Sequence, residues 1–160
     1  MSQRNAFDFL VGSWTVHHRY LRRRMAGCTD WIEFPGTCSM HKILDGLANV
    51  DDGDIHLPAG RYSGVSLRTY DPARDAWSIY WLDSRHPGEI FPPVHGRFVD
   101  GIGTFEGEDR HDGQAIRVRF LWSRVTPISA RWEQAFAPAD GGDWETNWIM
   151  DFTRDFTRTA

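Results

Sequence analysis

The sequence predicts an all-β protein, an antiparallel sandwich or barrel of about eight to ten strands behind a short N-terminal helix. Three observations carry that prediction. From Gly12 onward apolar and polar residues alternate with period two, which puts one set of side chains on each face of a strand. The alternating runs are broken at near-regular spacing by turn chemistry: Pro72 in "YDPARDAW", Asp112-Gly113 in "RHDGQA" and Asp140-Gly141-Gly142 in "PADGGDW". Aromatic residues make up 14% of the chain, with 8 Trp and 10 Phe. Such side chains favour strands and bury roughly 150–250 Å² each, more than a small core needs, so part of this surface is available to line a pocket.

The elements follow in order. Residues 2–11 are expected to form a short helix, with Ser2 as N-cap and Phe7, Leu10 and Val11 at helical spacing. Strands are expected at about 13–22, 28–42, 61–71, 76–83, 93–100, 102–110, 114–124, 129–137 and 143–154, with a shorter one near 48–51. The segment 53–60, "GDIHLPAG", reads as a possible lid. In the last three strands the two faces separate. Ile116, Val118, Phe120 and Trp122, then Ala130, Trp132, Gln134 and Phe136, then Trp144, Thr146, Trp148, Met150 and Phe152 are expected inward. Arg117, Arg119, Arg131, Glu133, Glu145, Asn147 and Asp151 are expected outward, with charges of both signs able to pair across strands. Gln134 and Thr146 are polar exceptions on the inner face and need partners once buried.

The totals fit one domain over 1–160, since a domain usually takes roughly 100–200 residues. The formal charge of -4 argues against nucleic acid and anionic membranes as partners. No stretch approaches the ~20 apolar residues of a membrane span. The start, "MSQRNAFDFLVGSW", lacks a basic region followed by a long apolar run, and Cys28 and Cys38 form no CxxC pair. A reducing cytoplasm is the expected compartment.

Four groups of residues invite a chemical reading. In "VGSWTVHHRY" Trp14, Val16, His18 and Tyr20 share parity, so His18 and Tyr20 point inward with Trp14 while His17 points out. Adjacent strand residues cannot chelate one ion together, and His41, His86, His95 and His111 are scattered; no metal site is expected. "LRRRMAG" puts Arg22–Arg24 at a strand end. They read as a solvated rim, or as carboxylate or phosphate capture at a barrel mouth, which the planar guanidinium fork suits. "WLDSRHPGE" brings Asp83, Arg85, His86 and Glu89 into one loop, either as local ion pairs or as an Asp–His general base. Trp77, Ile79 and Trp81 share one face, and with Trp132 and Trp148 they form either packed core or the flat walls of a pocket.

A short helix, Gly-x-Trp at Gly12–Trp14 opening the first strand, and a succession of antiparallel strands together resemble the lipocalin-like, or calycin, barrels. More closely, "FDFLVGSWTV", "YDPARDAWSIYWLD", "ARWEQAF" and "WETNWIMDFTR" resemble a bacterial family of lipocalin-like domains. The resemblance implies a single barrel closed at one end by Trp14, with Arg154 packed over it. It implies no particular chemistry. The nitrobindin-like relatives hold haem through a His on a late strand; the strands 114–124, 129–137 and 143–154 contain none, and no cofactor is expected.

The expected function is binding of a small hydrophobic or aromatic ligand inside the barrel. His18, Tyr20, Trp81 and Trp132 would form the site, with Gln134, Thr146 and Trp148. The alternative is an isomerase, cyclase or hydrolase acting on a hydrophobic small molecule, with His18 or the 83–89 loop supplying acid–base chemistry. A filled barrel that forms a homodimer through an exposed strand edge is the third reading.

Overall fold

The computed structural model describes residues 1–159. Ten strands follow one another: β1 Gly12–Leu21, β2 Trp31–Ile43, β3 Ala48–Ile55, β4 Tyr62–Asp71, β5 Ala76–Asp83, β6 Val94–Val99, β7 Ile102–His111, β8 Gln114–Ser123, β9 Ser129–Pro138 and β10 Glu145–Arg154. Each pairs antiparallel with its neighbour in sequence, and β1 pairs with β10 to close a barrel. Closure pairs each strand on both sides, with Tyr80–Asp83 of β5 the stretch that lacks a strand partner on one of them. Among the described residues no helix is long and apolar enough to cross a membrane.

The third strand is longer than the sequence pattern predicts. Cys38–Gly53 and Gly64–Gly53 ladder contacts are part of a pairing that runs to Ile55 on both sides, so residues 53–55 are wall and only 56–61 remain as loop. The expected helix over 2–11 is instead two 3₁₀ turns, Gln3–Asn5 and Asp8–Leu10, and a helix this short cannot repay its nucleation cost. Ser2 does cap the first turn, accepting from the Arg4 N–H at 3.2 Å. Tertiary bonds hold the turn in place. The Gln3 side-chain amide exchanges two hydrogen bonds with the backbone of Phe98, at 3.0 and 2.8 Å, and Trp77 Nε1 donates to Gln3 O at 2.8 Å.

These turns plug one end of the barrel. Phe7 meets Trp77, Phe98 and Trp122 edge to face at 5.2–6.2 Å. Trp14 is fully buried and donates its indole N–H to Leu10 O at 2.9 Å. The Arg154 guanidinium lies 4.2 Å above the Trp14 ring and donates to the carbonyls of Val11, Phe9 and Pro127. One arginine thus ties the plug, the first strand and the β8–β9 loop to the aromatic stopper, as the resemblance implies.

At the other end the loops 22–30, 56–61, 84–93, 112–113 and 139–144 form a mouth. One part of the wall there is thin. β5 pairs with β6 only across Trp77–Gly96, Ser78–His95 and Ile79–Val94, leaving Tyr80–Asp83 without a β6 partner. The loop 84–93 fills the gap, bonded to the strand through Phe91 N–H to Trp81 O at 3.0 Å.

Candidate functional site

Between plug and mouth lies a cavity of about 340 Å³, within the range of small-molecule sites. Its middle is aromatic. Trp148 meets Trp81 at 5.6 Å and Trp132 at 5.0 Å, both nearly perpendicular, and Tyr20 packs against Trp148 at 4.8 Å. Edge-to-face contacts fix the ring orientations, so the rings form rigid walls. Gly64 makes room for one of them: a Cβ there would lie 2.2 Å from the Trp81 ring.

His18 is part of this wall. It stacks on Phe34 with an interplanar angle of 9° and accepts the Trp148 indole N–H on Nδ1 at 3.0 Å. Burial, helped by His17 and His56, lowers its pKa to about 3. His18 is therefore neutral, and its one lone pair is engaged by Trp148. That removes it as a general base, and the acid–base role open to it in sequence is corrected on this geometry.

Tyr20 and Gln134 also line the cavity. The Tyr20 and Tyr62 hydroxyls hydrogen-bond each other, and burial raises both pKa values, so both stay protonated. Gln134 donates to Asn147 Oδ1 at 2.9 Å, which supplies the partner its burial demands.

Thr146 is the exception among the expected site residues. The β9–β10 register slips between Thr146 and Trp148, a β-bulge that inverts parity for the residues before it. Thr146 pairs with outward Ala135 and lies off the cavity. Glu145 turns in instead, accepting from Met25 N–H at 2.7 Å. Trp144, expected inside, lies outside against the Arg117 and Arg119 guanidinia at 4.8 and 4.7 Å, and Asn147, expected outside, is fully buried.

The floor carries charge that the sequence reading passed over. Arg68 and Asp51, both buried, pair at 2.6 Å, and Arg68 donates to Asn49 Oδ1 at 3.0 Å beneath the rings of Phe7 and Trp122. The signal was present: Tyr62, Gly64, Ser66 and Arg68 share one parity, as do Asn49, Asp51, Gly53 and Ile55. Their patterns were weak because Gly and Ser interrupt the apolar series. Beside the pair, burial and the Asp51 charge push the Cys38 thiol well up, leaving it an inert wall group.

At the mouth the loop 84–93 is stapled by Asp83. Its carboxylate accepts from Trp81 Nε1 at 2.9 Å, from Arg85 at 3.0 Å and from His86 Nδ1 at 3.1 Å. Burial opposes its ionisation, but these donors prevail and lower its pKa to about 2. Among the described residues no three His, Cys, Asp or Glu side chains gather as a metal-binding group.

No protein-family model matches the chain, and no curated protein matches it. Among solved structures it is similar to the S-type phycobiliprotein lyase CPES from Guillardia theta, with a TM-score of 0.64. The two are 13% identical, over 99% of this chain and 95% of that one. The likeness is one of fold, over nearly the full extent of both chains.

Proposed function

We propose that the barrel binds a small, mainly apolar or aromatic ligand in its cavity. The observation that carries this reading is the cluster of Trp81, Trp132 and Trp148 around a void of about 340 Å³ open toward the mouth. Trp148 packs edge to face on both Trp81 and Trp132, and all three rings line the void. Affinity would come from apolar burial at roughly 25 cal/mol per Å², less the cost of immobilising the ligand. Tyr20 offers a hydroxyl and Gln134 an amide oxygen to orient it.

The test is native mass spectrometry of the freshly purified protein, followed by a ligand screen read through tryptophan fluorescence. Trp132→Phe should keep the fold and weaken binding about three- to tenfold, the loss of part of one wall. Unchanged affinity for every ligand found would remove Trp132 from the site and count against the cavity reading.

The 3.1 Å Asp83–His86 contact favours a second reading, an acid–base enzyme at the mouth. His86 Nδ1 faces Asp83, leaving Nε2 to exchange a proton with a substrate. Turnover lost in His86→Ala while binding persists would support it.

A further inference from the structure

The three arginines of "LRRR" have different fates. Arg22 is exposed and donates to Asp30 at 2.6 Å, and Arg23 is exposed. Arg24 folds back over the mouth and lines the cavity. Its guanidinium lies 5.2 Å from the Tyr20 ring centroid and 5.6 Å from that of Phe136, held between aromatic faces. Among the described residues no carboxylate stands within 4.0 Å of it, and it donates no hydrogen bond. Glu145, the acid on the neighbouring strand, accepts the Met25 N–H at 2.7 Å and acts on Arg24 as a favourable charge from beyond ion-pair distance.

Two other arginines of the cavity have a carboxylate in contact, although Arg68 Nε is buried without a hydrogen-bond partner. Arg68 is neutralised by Asp51, and Arg85 by Asp83. Arg110 is exposed and donates to Gly113 O at 2.9 Å. Arg24 thus presents five donors with no protein acceptor, in a half-buried place where burial already lowers its pKa. A partly desolvated cation without a counter-charge in contact is costly, and an anion arriving with a ligand would relieve that cost.

Resting on the binding reading above, we propose that the ligand is an acid: an aromatic or apolar body against the tryptophans, with a carboxylate at the mouth held by Arg24. A carboxylate matches the planar donor fork. Asp109 also lines the mouth, and its negative charge favours a monoanion over a phosphate dianion. The closed end offers no free cation, because the Arg68–Asp51 pair is neutral as a unit; the acid group therefore enters last.

The experiment uses the intact protein and two probes of matched shape, 2-naphthoate and 2-naphthalenemethanol, titrated by fluorescence and calorimetry. The naphthoate is expected to bind at least about tenfold more tightly, as one charge-assisted pair provides. Arg24→Gln should reduce naphthoate to the affinity of the alcohol and leave the alcohol unchanged. Arg24→Lys should restore part of the difference, and Arg23→Gln should alter neither probe. Equal affinities in the unmodified protein, or a naphthoate preference that survives Arg24→Gln in a folded variant, would overturn the acid proposal and spare the cavity reading. If neither probe binds, both readings fall together.

Discussion

At the scale of single residues, the interior is governed by which groups may carry charge. His18 has its pKa lowered from 6.5 to about 3 by burial, so between these values the unfolded chain binds a proton that the folded protein refuses. Stability from this residue is complete above pH 6.5 and is lost as pH falls toward 3, by at most about 5 kcal/mol. Asp83 acts in the same direction over a lower window: its contribution is complete above 3.8 and falls away toward 2. Urea midpoints measured from pH 7 to pH 3 should therefore drop steeply. His18→Gln keeps an acceptor for Trp148 and cannot titrate, so its curve should be flatter between pH 6.5 and 4; an unchanged slope would place the acid lability elsewhere.

At the scale of elements, glycines set how closely strands and rings approach. A Cβ at Gly96 would lie 1.8 Å from the Thr104 backbone oxygen, while one at Gly64 would strike the Trp81 ring. Backbone cannot step aside and a ring can. Gly64→Ala should cost about 1–3 kcal/mol and shift tryptophan fluorescence as Trp81 turns, whereas Gly96→Ala should cost more and leave the spectrum near native. Thermal melts with emission spectra would separate the two, and a silent Gly64→Ala would show that Trp81 is not a fixed wall. The same scale explains what the sequence made legible. Period two located most strands, and it put His18, Tyr20, Trp132 and Gln134 inside, where they line the cavity. It failed at Thr146 because a bulge adds one residue without any mark in the alternation. It also failed at Arg68 and Asp51, since a buried ion pair looks like surface until the register of β3 with β4 is known.

At the scale of the whole molecule, charge is arranged in tiers. The plug end is sealed by Arg154 on Trp14, the floor holds a compensated pair, the middle is aromatic, and the mouth carries the cation that lacks a partner. Such an arrangement gives a ligand both depth and direction. The outer wall is laced instead by cross-strand pairs such as Arg131–Asp151, joined by two bonds of 2.7 and 2.9 Å between register partners, worth modest stability in water.

The short β5–β6 pairing has a kinetic consequence. A closed ladder resists parting because every strand has bonds on both sides, but Tyr80–Asp83 meets only β4 and the loop 84–93. This seam is where the barrel can breathe at the least energetic cost. Backbone amides of 84–93 should exchange with deuterium sooner than those of β8 or β9, and a bound ligand touching Phe91 and His86 should slow them first. Uniform exchange around the barrel would mean the wall opens nowhere in particular. Under the seam account, residence time is set at the flank of the barrel, and substitutions in 84–93 would change how fast a ligand leaves more than how tightly it is held.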